Sequence, residues 1–135
     1  MSYKIKDIEG VGPAYGDKLE EIGVHSVADL LERCCDLRGR RGVSAETGIT
    51  EKLLLRWVNH ADLMRVKGIG PQYAELLEAS GVDTVKELAT RNAVNLAASL
   101  TDTNAAKSLA NVNPSEAVVA AWVAQARALN PAVSH

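Results

Sequence analysis

Phenylalanine is absent from this 135-residue chain, and aromatic residues together make up only 4% of it. The interior must therefore be filled by Leu, Val, Ile and Ala with help from Trp57 and Trp122, a composition that leans helical. The only cysteines, Cys34 and Cys35, are adjacent, so there is no disulfide framework and no Cys/His metal spacing. They are expected to be buried or idle thiols, with a vicinal redox pair as the other reading. No apolar run approaches the roughly 20 residues that span a bilayer, and Met1-Ser2-Tyr3-Lys4 leads into polar sequence instead of a signal-peptide core. A cytoplasmic protein with no membrane partner is the expectation.

A strong charge of one sign is missing too. The net charge is −2, unlike that of a typical nucleic-acid binder, but it is unevenly placed. Residues 1–32 carry 3 Lys/Arg against 7 Asp/Glu, residues 33–67 carry 8 against 4, and residues 68–135 carry 4 against 6. Any polyanion contact should centre on the basic middle.

What the chain does contain is a repeat. Ile8-Glu9-Gly10-Val11-Gly12-Pro13-Ala14-Tyr15-Gly16 returns as Val66-Lys67-Gly68-Ile69-Gly70-Pro71-Gln72-Tyr73-Ala74, and 11 of the 26 pairs that run on to Arg33 and Arg91 are identical. Pro13 and Pro71 suit a first helical position, where the missing N–H costs nothing. Gly23 and Gly81 then read as helix stops. Ser26 with Asp29, and Thr84 with Glu87, repeat one capping scheme for the following helix. Asp36 to Gly48 reads as a polar, arginine-rich loop with a short helix beginning at Ser44. Thr50 caps a helix whose Leu53, Leu54, Trp57, Val58, Ala61 and Met64 form an apolar stripe, leaving Lys52, Arg56 and Asn59 on the other side. Past Arg91, Leu96, Ala97 and Leu100 are helical and Thr101 to Asn104 reads as a turn. Ser115 to Leu129 then repeats the Trp-bearing helix after a 7-residue insertion, and Asn130 to His135 should fray.

No sustained period-two alternation suggests a strand. The expected fold is all-α, with two fused pseudo-repeats, residues 1–64 closing with the Trp57 helix and residues 65–135 closing with the Trp122 helix, around a shared core.

A Gly-apolar-Gly-Pro turn feeding a helix, with a small residue four places after the second glycine, resembles the helix-hairpin-helix motif of nucleic-acid-binding proteins. Taken whole, through Gly48-Ile49-Thr50, Leu54-Leu55-Arg56-Trp57-Val58-Asn59, Ala61 to Gly70, Leu76-Leu77 and Gly81 to Val85, the chain resembles a bacterial domain-of-unknown-function family of small tandem helix-hairpin-helix proteins. That resemblance implies a DNA- or RNA-associated fold and no particular activity.

In such a turn, glycine lets the backbone bend where a Cβ would clash, and successive N–H groups point outward at a helix start, where a phosphate oxygen can be held. The apolar middle residue, Val11 or Ile69, plugs the core. Lys67 and Arg65 flank the second turn, whereas Glu9 and Asp7 hold those places in the first. The expected contact is therefore Gly68, Ile69, Gly70 and Gln72 with Lys67, Arg65, Arg40, Arg41 and Arg56, binding DNA or other nucleic acid through its backbone and without sequence preference. Gly10, Val11, Gly12 and Ala14 form a secondary hairpin read as architecture. The alternative is a protein-interaction adaptor that uses the same fold as scaffold, with a protein partner at the acidic first repeat. Neither reading needs a cofactor or a metal, and no nucleophile with a recognisable base, Cys/His cluster or phosphate-binding Gly-Lys-Ser/Thr loop suggests an enzyme.

Overall fold

The computed structural model describes residues 3–135. Among them there are no strands, only an isolated antiparallel bridge between Lys4 and Ser26; the fold is all-α. A single 3-10 turn, Ile5–Asp7, precedes α1 (Gly12–Glu21), α2 (Val27–Cys34), α3 (Leu37–Thr47), α4 (Glu51–Leu63), α5 (Pro71–Ala79), α6 (Val85–Leu88), α7 (Ala93–Lys107) and α8 (Glu116–Ala128).

The chain divides into two compact units. One runs to Asp62 and takes in Ala132–His135, and the other spans Leu63–Pro131. The first buries Ile5, Ile8, Val11, Leu19, Leu30, Val43, Leu54 and Trp57. The second packs Val66, Ile69, Leu76, Leu77, Val85, Leu88, Leu96, Leu100, Val119 and Trp122 into one cluster. Leu and Val thus fill both interiors around a single tryptophan each.

Local signals account for most helix ends. The Ser26 hydroxyl accepts the Asp29 N–H at 3.1 Å while the Asp29 carboxylate accepts the N–H groups of Ser26 and His25. Those bonds from the His25 and Ser26 backbone hold the Asp29 carboxyl below its ordinary range. Thr84 accepts from the Glu87 N–H at 3.2 Å, and Ser115 from the Val118 N–H at 3.2 Å. Gly23 and Gly81 carry φ values of +88° and +90°, a conformation glycine adopts without strain.

Four sequence expectations are corrected. The arginine-rich segment is helix, not loop: α3 starts at Leu37, capped by Asp36, whose side chain accepts the Gly39 N–H at 2.7 Å. Thr101 to Asn104 is not a turn, because α7 continues to Lys107. Asn59 does not face outward. It is buried, within 3.4 Å of the His135 ring, and Trp57 to Leu63 are buried without a break. Nor does the tail fray, since the Ser134 N–H donates to the Cys35 carbonyl at 2.8 Å and the Ser134 carbonyl accepts from Arg40 at 2.8 Å.

Candidate nucleic-acid interface

The second glycine turn is built outward from a tryptophan. The N–H groups of Val66 and Ile69 donate to the carbonyls of Leu63 and Val66, and these two tight turns carry the chain from α4 into α5. Val66 and Ile69 are buried while Lys67 and Gly68 lie exposed between them. Gly68 has φ +98°, and a β-carbon there would stand 3.0 Å from the Trp122 indole Nε1; the conformation disfavours other residues, and the indole would have to give by a few tenths of an ångström to admit one. The Gln125 side-chain amide then fastens Lys67 by its backbone, its Oε1 accepting the Lys67 N–H at 2.9 Å and its Nε2 donating to the Lys67 carbonyl at 3.2 Å. The lysine's ammonium group is left to solvent.

Among the described residues, the N–H groups of Gly68, Gly70 and Gln72 donate to no protein acceptor. Two of them precede or open α5, where the helix dipole adds positive potential. This is a local arrangement able to hold an anion: three free amides, an exposed ammonium, and a buried Ile69 that keeps the turn from shifting.

The first glycine turn has the same parts with different charges. Gly10 and Gly12 carry φ +91° and +67°, Val11 is buried, and its N–H donates to Ile8 at 3.2 Å. The Tyr15 and Trp57 rings lie 5.3 Å apart at 59°, against 5.2 Å and 57° for Tyr73 and Trp122, so the sequence repeat recurs as matching ring geometry within each unit. Glu9, half-buried, stands where Lys67 does in the second. Lys6 does not offset it: its ammonium is bonded to Asp17 at 2.7 Å and Glu20 at 3.1 Å, bonds that raise its pKa above the ordinary lysine value. One backbone difference also stands out, for Gly70 has φ −100° where Gly12 is positive.

The remaining sequence-predicted charges are not equivalent to one another. Arg40 is 2% exposed, with its guanidinium donating to the carbonyls of Cys34 at 3.0 Å and Ser134 at 2.8 Å, so it is a structural residue and leaves the candidate set. Arg41 is exposed, 3.7 Å from Glu51, a separation of little energetic weight. Arg56 is exposed on α4. Arg65 is half-buried and donates to the Asn130 carbonyl at 2.9 Å just past α8. Arg41 and Arg56 belong to the first unit, and Arg65 and Lys67 to the second. Sequence reasoning missed Gln125, because its clamp on Lys67 reaches 58 positions along the chain and leaves no local signal.

Cys34 is buried and Cys35 half-buried, both as free thiols. Loss of solvent pushes the Cys34 thiol up to about 11, against the thiolate character that redox chemistry requires. Among the described residues, no group of three or more His, Cys, Asp and Glu side chains is placed to hold a metal ion, and no helix is long and apolar enough to cross a membrane.

Residues 9–129 match the family described as Domain of unknown function (DUF4332). No curated protein and no solved structure matches the chain.

Proposed function

Because the chain belongs to the DUF4332 family, whose description names no activity, we propose a function from its own surface: a non-catalytic module that binds the nucleic-acid backbone through its second hairpin, without sequence preference. In this reading the two units are fused helix-hairpin-helix pseudo-repeats of the bacterial type that the sequence resembles, working on nucleic acid in the cytoplasm. The observation that carries it is the Gly68-Ile69-Gly70 turn, with three amides free of protein acceptors beside the exposed Lys67.

Phosphate oxygens accept from the N–H groups of Gly68, Gly70 and Gln72, and Lys67 supplies charge next to them. Arg65 lies two residues away but spends at least one N–H on Asn130, so its share is smaller than that of Lys67. Such contacts are blind to base identity. The first hairpin, with Glu9 in the basic position and Lys6 held by Asp17 and Glu20, takes no part in the phosphate contact.

Labelled duplex and single-stranded DNA titrated into the protein at low and at moderate salt test this reading. Binding at low salt that weakens steeply as salt rises is the expected result, since counterion release governs phosphate contacts. Absence of binding at low salt refutes it.

A protein-adaptor reading is favoured by a different observation: Arg40 and Arg65 bond to carbonyls of the chain itself, which thins the basic set. A partner recovered in stoichiometric amount after nuclease treatment would support that role.

A further inference from the structure

One connection that differs between the two units covers a tyrosine in the second and not in the first. α3 and α7 both end in a left-handed residue whose N–H donates four residues back at 2.8 Å: Gly48 (φ 75°) to Ser44 and Ser108 (φ 52°) to Asn104. α4 and α8 both begin after a hydroxyl cap, Thr50 and Ser115. Between left-handed residue and cap the first unit has Ile49 alone, whereas the second has Leu109 to Pro114. Ile49 and Pro114 are both buried and correspond. Leu109 to Asn113 is therefore an insert of five residues peculiar to the second unit.

That insert is tied down at several points. The Asn104 amide donates to the Ala110 carbonyl at 3.0 Å and to Asn113 Oδ1 at 2.8 Å, and it accepts the Ala110 N–H at 2.9 Å. The Val112 carbonyl accepts from the Tyr73 hydroxyl at 2.9 Å. Tyr73, tilted against Trp122, is thereby half-buried with its hydroxyl satisfied. Tyr15 makes the same tilted contact with Trp57 but has no insert beside it. It is 38% exposed, and among the described residues its hydroxyl donates to no protein acceptor.

We infer that the Tyr15 face of the first unit is a docking seat for an extended, basic segment of a partner protein, which offers a backbone carbonyl to the Tyr15 hydroxyl as Val112 offers one to Tyr73. The insert is the template for the occupant's backbone. Charge selects its side chains: across residues 3–22 Asp7, Glu9, Asp17, Glu20 and Glu21 outnumber Lys4, Lys6 and Lys18, and with Lys6 paired to Asp17 and Glu20, Asp7, Glu9 and Glu21 remain against Lys4 and Lys18. A cationic segment gains from that field, and an anionic polymer is repelled by it. The seat is independent of the phosphate contact at the second hairpin.

The probe is a synthetic peptide, Lys-Leu-Ala-Asn-Val-Asn-Lys, which places the insert's five residues between lysines, titrated into the isotope-labelled full chain. The expected result is a set of saturable shifts at the Trp57 indole N–H and the α1 amides. Tyr15→Phe, which removes only the hydroxyl, should weaken the peptide about 3- to 10-fold, as loss of one hydrogen bond does, and Tyr73→Phe should leave its affinity unchanged. No shift up to about millimolar peptide (the weakest affinity of interest), shifts confined to other elements, or equal affinity for Tyr15→Phe would each overturn the inference. So would a dimer that Tyr15→Phe converts to monomer, because the occupant would then be a second copy of the chain.

Discussion

The indole Nε1 of Trp122 lies 3.0 Å from where a β-carbon on Gly68 would stand, whereas the indole Nε1 of Trp57 lies 3.8 Å from the corresponding point on Gly10. Each closing tryptophan thus presses against the first glycine of its own unit's turn. The tighter contact belongs to the turn for which the phosphate contact is proposed.

Gly68→Ala therefore meets both a positive φ and a crowded indole, and is expected to destabilise the protein by about 2 kcal/mol or more. Gly10→Ala meets the unfavourable φ with ordinary contact distance and should cost about 1–2 kcal/mol. Denaturant midpoints at constant slope measure both. Equal loss in the two variants would show that the Trp122 contact relaxes freely.

Two glycines inside α3 should respond with opposite signs. A β-carbon on Gly39 would collide with the Arg33 carbonyl oxygen, while one on Gly42 meets nothing. Gly42→Ala is expected to stabilise by about 0.5–1 kcal/mol through helix propensity. Gly39→Ala should destabilise by more than about 1 kcal/mol, since the obstacle is backbone. Thermal or chemical unfolding of the two variants reads the sign directly.

Arg40 joins the end of α2 to the tail. Replacing it with Met removes the donor from two carbonyls, those of Cys34 and Ser134, and is expected to cost about 2 kcal/mol or more. The diagnostic readout is local: hydrogen exchange at the Ser134 amide, which donates to Cys35, should accelerate well beyond the global change. Unaltered protection there would mean that the tail is held by other contacts.

The cysteine pair should behave unequally. Cys34 is fully buried, and loss of solvent pushes its thiol up from an ordinary 9.0 to about 11. Cys35 is half-buried. At neutral pH one equivalent of a thiol reagent is expected to modify Cys35, leaving Cys34 protected until the chain unfolds. The raised value also carries a pH sign. Below about 9 the thiol is protonated in both states, but between about 9 and about 11 only the unfolded state ionises, so stability falls as pH rises across that window. Cys34→Ala should flatten that part of the pH profile, measured by denaturant midpoints.

The parts of the fold that were legible beforehand depend on short-range chemistry. Ser26 with Asp29, Thr84 with Glu87 and the turn glycines act within a few residues, and their bonds form as the spacing predicts. What was not legible depends on distant partners. Nothing near Arg40 announces that its guanidinium will meet a carbonyl 94 positions away, and a run of arginines reads as solvated until that contact is seen. Asn59 breaks the apolar pattern of α4 yet is buried beside His135, because a polar group can be buried once a partner meets it. Gly39 looks like a helix breaker, and its packing against the Arg33 carbonyl explains why a glycine stands there. In the candidate site the turn itself was readable, while the clamp from Gln125 on Lys67, 58 positions apart, was not.

The phosphate assignment at the second hairpin is tested most directly by the slope of binding affinity for duplex DNA against salt, on logarithmic axes, for the wild type, Lys67→Glu and Glu9→Lys. Each phosphate contact contributes about −0.9 to that slope. The account predicts that Lys67→Glu weakens binding and makes the slope shallower by about one contact. Glu9→Lys, which restores the basic position beside the first turn, should strengthen binding and steepen it. A wild type that does not bind at low salt, or a Lys67→Glu protein with the wild-type slope and affinity, would contradict it.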